Sequence, residues 1–148
     1  MNEEKFHVGV KALFVNDKNQ ILVLKVNPKD SWCIKEVHWD LPGGRIEEGY
    51  SIEQTLRKEV KEEIGVDDFE ILEHFDTNRA RIKLNVENGL VGLLMIVYRC
   101  RLSDGNVEIK LNDESSEYKW ADMDESKELL RFKFSDSLIE KLSRLESS

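Results

Sequence analysis

Apolar and polar positions fall into blocks that separate strands from helices. Residues 7–15 and 21–26 are β-rich and mostly apolar, and Asn16-Asp17-Lys18-Asn19 between them predicts a turn, so the two segments read as a hairpin. A loop is expected over 27–31 and extended chain over 32–39. Leu41-Pro42-Gly43-Gly44 then interrupts regular structure, with a short extended piece around Arg45 and Ile46. The clearest element is a helix opened by Ser51, whose hydroxyl can cap an orphan amide while Gln54 reaches back in a capping box. Ile52, Leu56, Val60 and Ile64 recur every four positions as an apolar stripe, and Gly65 supplies the stop. Residues 69–75 and 90–102 predict strands around a polar loop. Shorter extended pieces follow at 107–111 and 118–120, and 134–145 reads as an amphipathic C-terminal helix. Strands on both sides of one central helix, with a terminal helix, predict an α+β domain whose sheet lies between helices.

Length and composition narrow the function classes. The 148 residues suit one domain, 1–148, with no repeat, linker or low-complexity tract to divide it. With 22 basic and 30 acidic residues the net charge is −8, which argues against a stable nucleic-acid partner. A phosphate-bearing ligand would therefore need a recruited cation, most simply a divalent metal. Cys33 and Cys100 lie far apart with no CxxC pair, so free thiols in a reducing compartment are expected. The N-terminal Met1-Asn2-Glu3-Glu4-Lys5 lacks the apolar stretch of a signal peptide, and the best apolar run, 90–97, is strand-sized. A cytoplasmic protein without membrane association is the expectation.

The chemistry concentrates between residues 41 and 66. Glu59, Glu62 and Glu63 stand at i, i+3 and i+4 and share one helix face, flanking the apolar stripe, while Gln54, Arg57, Lys58 and Lys61 occupy the opposite side. Carboxylates at the edge of a core repel one another unless a cation neutralises them. Oxygen-only ligands select a hard ion, Mg²⁺ or Mn²⁺. An acid run on a helix also reads simply as a solvated face. Gly43-Gly44, at a fixed distance before the helix, tips the balance, because glycine backbone can approach a ligand closely.

Gly44 followed by Lys58-Glu59-Val60-Lys61-Glu62-Glu63-Ile64-Gly65-Val66 resembles the Nudix box, G-x5-E-x7-R-E-U-x-E-E-x-G-U with U a bulky aliphatic, without insertion over 44–66. The lead-in Trp39-Asp40-Leu41-Pro42-Gly43 and the later Trp120-Ala121-Asp122-Met123-Asp124-Glu125 are similar to the family too. The resemblance implies an α/β/α sandwich with a central mixed sheet, and Mg²⁺-dependent hydrolysis of a nucleoside diphosphate linked to another moiety. It implies Glu59, Glu62, Glu63 and the Gly43 carbonyl as metal ligands, with Lys58 orienting Glu59. A later acid, Glu114 or Glu117, would be a further ligand or general base, and Glu114 is preferred. Two positions depart: Tyr50 replaces the first box glutamate, and Lys58 replaces an arginine, losing the planar fork for bidentate contact. These departures motivate an alternative, a catalytically weakened domain that binds nucleotides or regulates. A third reading keeps the fold but changes the reaction, as in the superfamily's glycosyl hydrolases and isomerases.

The expected partner is a small nucleotide-type diphosphate substrate, its identity left to loops outside the box. Ile82 and Leu84 stand where proline or tyrosine would mark the ADP-ribose or dinucleoside-polyphosphate subgroups. A homodimer stays open. Arg79 and Arg81 fit phosphate contacts or solvated surface equally, His7, His38 and His74 lack ligand spacing, and Trp32, Trp39 and Trp120 read as core aromatics.

Overall fold

The computed structural model describes residues 1–28, 36–87 and 89–147; Trp32, Cys33 and the first part of the extended 32–39 segment lie outside the described residues. The strands are β1 (Phe6–Phe14), β2 (Ile21–Val26), β3 (His38–Asp40), β4 (Gly43–Arg45), β5 (Phe69–Val86), β6 (Gly89–Leu102) and β7 (Ser115–Ala121). The helices are α1 (Ile52–Ile64), α2 (Met123–Leu130) and α3 (Asp136–Leu142), closed by a 3-10 turn over Ser143–Ser147. A four-stranded sheet runs β4-β1-β6-β5 and a three-stranded sheet runs β3-β2-β7. The larger sheet is mixed, as expected: β1 and β6 are parallel, while β1–β4 and β5–β6 are antiparallel.

α1 forms for the reasons its sequence gives. Gln54 N–H donates to the Ser51 hydroxyl at 3.0 Å and the Gln54 amide oxygen accepts from Ser51 N–H at 2.9 Å, completing the capping box. Gly65 ends the helix at φ 71°, its N–H donating to the Lys61 carbonyl. Leu56, Val60 and Ile64 are fully buried, and burying each such side chain stabilises the fold by roughly 1.5–3 kcal/mol. Ile52, the first member of the stripe, is 37% exposed. The helix packs on β1 and β4.

Four expectations are corrected. β1 and β2 are not a hairpin within one sheet: Asn16 builds the turn, but only the bridge Val15↔Ile21 joins the strands, because both edges of β1 are taken by β4 and β6. The polar loop expected after residue 75 is strand, since β5 continues to Val86. Its alternation is concealed by Asp76 and Asn78 on the buried face, where Asn78 donates to Asp76 and Lys141 pairs with Asp76. Residues 107–111 form no strand. The helix expected over 134–145 is only α3 and its 3-10 extension, and α2 precedes it, capped by Asp122 accepting from Glu125 N–H. Phe134, Leu138 and Leu142 are buried, which is the amphipathic face that the sequence displayed. Cys100 is a buried free thiol, and burial pushes its pKa up to about 12.

Candidate functional site

The turn from β3 to β4 passes close against both β1 and α1, and Gly43 and Gly44 leave room for that approach. A Cβ on Gly44 would lie 2.6 Å from the Glu59 side chain, and one on Gly43, at φ +148°, would lie 2.0 Å from the Val10 carbonyl oxygen. The Gly43 N–H donates to Glu63 Oε2 at 3.2 Å, fixing the buried carboxylate against the loop. Gly43 and Gly44 thus lie directly against the box acids Glu63 and Glu59.

The three helix acids are not equivalent. Glu63 is buried at 9% exposure, while the side chains of Glu59 and Glu62 are 19% and 51% exposed. Glu114 joins them from the loop before β7, and one carboxylate oxygen from each of Glu59, Glu63 and Glu114 lies within 4.8 Å of the others. That loop is laced to the C-terminal end of α1 by Lys110 N–H to Ile64 O and Asn112 N–H to Glu63 O. Asn112 Oδ1 then accepts from Glu114 N–H at 3.1 Å, and the Glu114 carbonyl accepts from Asn27 N–H at 2.9 Å. Glu117 lies on β7, half exposed, with Lys25 at 3.8 Å. The geometry therefore gathers Glu114, not Glu117, with the box acids.

Burial pushes the Glu63 carboxyl up to about 8, against the pull of Lys11 and the Gly43 N–H, and Asp40 and Glu114 push the same way as burial. Glu59 is also raised, by burial and by Glu62. A carboxylate set that resists ionisation in the protein alone is what a bound divalent cation would relieve. The all-oxygen donors fit Mg²⁺ or Mn²⁺.

Behind the acids lies a buried triad. Asp40 accepts from Lys11 at 3.0 Å and from Lys133, and all three side chains are at most 8% exposed. Lys11 also donates to the Leu41 carbonyl. Burial alone would raise the Asp40 carboxyl, but the two ammonium groups hold it far below the usual range. The same burial lowers Lys133 to about 8, while Lys11 is held above its ordinary value by Asp40 and Glu63 despite burial. No sequence signal marked Lys11 or Lys133; Asp40 stood only in the lead-in. An inner cavity floored by this triad and an outer groove along α1 share Gly43, Gly44, Arg45, Glu63 and Glu114 at their junction.

Lys58 lies beside the acids rather than opposite them. Its ammonium is 3.4 Å from both Glu47 and Glu62, 4.0 Å from Glu59, and 5.6 Å from the Tyr50 ring. Glu47 thus supplies a carboxylate to Lys58 although Tyr50 fills the first glutamate position. Lys58→Arg should equal or exceed the parent rate and Lys58→Ala should lower it a few-fold, because guanidinium grips carboxylates in two parallel bonds. Equal turnover of the three proteins in steady-state kinetics would deny Lys58 an orienting role.

Among the described residues, the arginines, histidines and tryptophans outside the acid cluster have structural contacts. Arg79 pairs with Glu4 at 2.6 Å and lies over Phe6, and Arg81 pairs with Asp136 and donates to Phe134 O. His7 contacts Arg45 at 3.2 Å, His74 contacts Thr77 at 2.7 Å, and buried His38 lies against the Phe132 ring. Trp39 carries Lys119 over its ring and is, like Trp120, partly buried. Among the described residues no helix is long and apolar enough to cross a membrane.

The chain is 34% identical over 98 residues to bis(5'-nucleosyl)-tetraphosphatase [asymmetrical] of Sus scrofa, covering 65% of this chain and 63% of that protein. It is 32% identical over 84 residues to nucleoside triphosphatase NudI of Escherichia coli, covering 55% and 60%. The chain therefore spans less than two thirds of these curated relatives. Among solved structures, MutT protein from Methanosarcina mazei Go1 superposes with TM-score 0.71 at 20% identity, over 99% of this chain and 97% of that one. The dihydroneopterin triphosphate pyrophosphohydrolase of E. coli gives TM-score 0.71 at 18% identity, over 98% and 100%. Residues 5–142 match the NUDIX domain, and with the box glycines and acids packed as described, the chain belongs to that family.

Proposed function

We propose that this protein hydrolyses a diphosphate linkage in a nucleoside diphosphate joined to another moiety, with Mg²⁺ or Mn²⁺ as cofactor. The observation that carries the reading is the convergence of Glu59, Glu63 and Glu114 at the junction of the inner cavity and outer groove. Glu59, Glu63 and Glu114 would hold the cation, with Glu62 at the exposed side and the Gly43 carbonyl as a further ligand. When bound, the cation neutralises phosphate oxygens and stabilises charge that builds during displacement at phosphorus. A substrate with its diphosphate at the junction has room for one substituent inward and the other along α1.

Arg45, exposed at the mouth of both spaces, offers a guanidinium to phosphate oxygens. Glu114 takes the proton of the attacking water on a carboxylate oxygen as the new P–O bond forms and the bridging P–O bond breaks. A loop acid can approach that water from outside the helix. Lys58, tied to Glu47 and Glu62, keeps the exposed end of the acid cluster in place. The names of the relatives, a tetraphosphatase of bis-nucleosyl substrates and a nucleoside triphosphatase, support a nucleotide polyphosphate as the substrate class.

A Mg²⁺-supplemented screen of nucleoside triphosphates, nucleotide sugars and dinucleoside polyphosphates tests the reading. Turnover of one class, abolished by EDTA and restored by excess Mg²⁺, is expected; undiminished turnover in EDTA would sink the metal mechanism. Tyr50 and Lys58 favour a second reading, a weakened domain that only binds nucleotides. Tight binding without turnover across the screen would select it.

A further inference from the structure

Arg45 is a cation set among acids. It lines the outer groove with Glu47, Glu59, Glu62, Glu63 and Glu114, and it also lines the inner cavity. Lys58, in the same groove, lies within 4.0 Å of three of these carboxylates. Arg45 behaves differently. Among the described residues it forms no ion pair, and its side chain has one hydrogen-bond partner, the imidazole of His7 at 3.2 Å. The strands explain the choice. Arg45 stands directly opposite Gly9 in the antiparallel register of β4 and β1, and His7 lies two residues before Gly9, on the same face of β1. Gly9 has no side chain to intervene, so the arginine crosses to its diagonal neighbour. A guanidinium only donates, so His7 Nδ1 accepts, which requires a neutral ring with its proton on Nε2. A neutral acceptor leaves the charge of Arg45 uncancelled and takes up only one of its five N–H donors.

We propose, on the reading of the junction as a cation and diphosphate site, that His7 is a positioning residue: it holds Arg45 off the metal-binding acids and presents the guanidinium to phosphate oxygens. A carboxylate in the place of His7 would neutralise the charge that a phosphate needs. An apolar side chain there would release the guanidinium onto the groove's carboxylates, where it would compete with the cation for the same oxygens. The imidazole avoids both. Loss of His7 therefore weakens the cation and the phosphate together, and does so only through Arg45.

Both consequences are read by binding, apart from hydrolysis and at one fixed pH. Free Mn²⁺ is measured by electron paramagnetic resonance as the whole protein is titrated with the metal alone. Methylenediphosphonate, whose P–C–P bridge resists hydrolysis, is then titrated calorimetrically into the Mn²⁺-loaded protein. His7→Leu should bind Mn²⁺ about fivefold more weakly, the strength of one partly exposed ion pair that the metal must break. It should bind methylenediphosphonate about threefold more weakly, the cost of ordering a side chain left free. His7→Asn, whose amide oxygen can stand in for Nδ1 as the acceptor, should recover most of both losses. Arg45→Met should lose about tenfold in methylenediphosphonate affinity and nothing in Mn²⁺ affinity, and adding His7→Leu to it should lower neither further. If His7→Leu does not fold, as judged by circular dichroism, His7→Val takes its place, since valine suits a strand. Parent affinities in His7→Leu, the same losses on the Arg45→Met background, no recovery in His7→Asn, or a parent protein that binds no Mn²⁺ would overturn the proposal. The expected pattern in a protein that hydrolyses nothing in the screen would sink the hydrolase reading and keep His7. Metal-dependent hydrolysis with parent affinities in His7→Leu would do the reverse.

Discussion

Glu63→Gln is expected to lower hydrolysis by roughly 10² or more while making the metal-free protein more stable at neutral pH. Both effects come from one cause. The Glu63 carboxylate is buried beside Asp40 and Glu114, which is costly in the protein alone and valuable to a bound cation. The amide keeps the shape and can still accept from Gly43 N–H, but it carries no ligand charge. The pH dependence follows with a definite sign. Glu63 has an ordinary value of 4.5 and is raised to about 8, so between these limits the folded state holds a proton that the unfolded state releases. In chelator, the contribution of Glu63 to stability is therefore best below its ordinary value and is lost as pH rises toward 8, by a few kcal/mol in order of magnitude. Melting in EDTA from pH 5 to pH 8 checks it. The parent protein should lose Tm across that window and Glu63→Gln should lose much less. Parallel curves for the two proteins would mean that Glu63 is not the strained acid. Added Mg²⁺ should raise the parent's Tm at the upper end of the window and leave that of the variant nearly unchanged.

Glu114→Gln should lower kcat by about 10² to 10⁴ with little change in KM, the range for losing a general base. Glu117→Gln should be nearly neutral, because that side chain is half exposed on β7 near Lys25, away from the acid cluster. The contrast separates a catalytic role from a general effect of removing loop charge. Full kcat in Glu114→Gln would move the base onto the helix, with Glu59 first in line. A low kcat in Glu117→Gln with a normal Glu114→Gln would transfer the role to Glu117.

Much of this candidate site is legible in the sequence. The helix, its cap, its stop and the shared face of Glu59, Glu62 and Glu63 depend on spacings of three and four residues, so they are properties of a short window. Gly43 and Gly44 were legible as a place of close approach, and the structure names what approaches: Glu59 and the Val10 carbonyl. Glu114 was legible only as one of two acids. Its selection depends on Asn112 and Asn27, which bend the loop, and on backbone bonds to the end of α1.

The misreadings have a common origin. β5 was shortened because Asp76 and Asn78 occupy inward positions, and their polarity is offset by each other and by Lys141 from another element. The expected β1–β2 hairpin failed because the edges of β1 were already filled by β4 and by a parallel β6 far along the chain. By itself the sequence determined the family, the α+β class, the acid-bearing helix and the glycine loop, all of them written in local spacing. Only the tertiary structure decided the Lys11–Asp40–Lys133 triad, whose members stand 29 and 93 residues apart, and the junction it backs. Long-range pairing of buried charges leaves no period in a sequence, because what makes such residues compatible with a core is a partner from elsewhere in the chain.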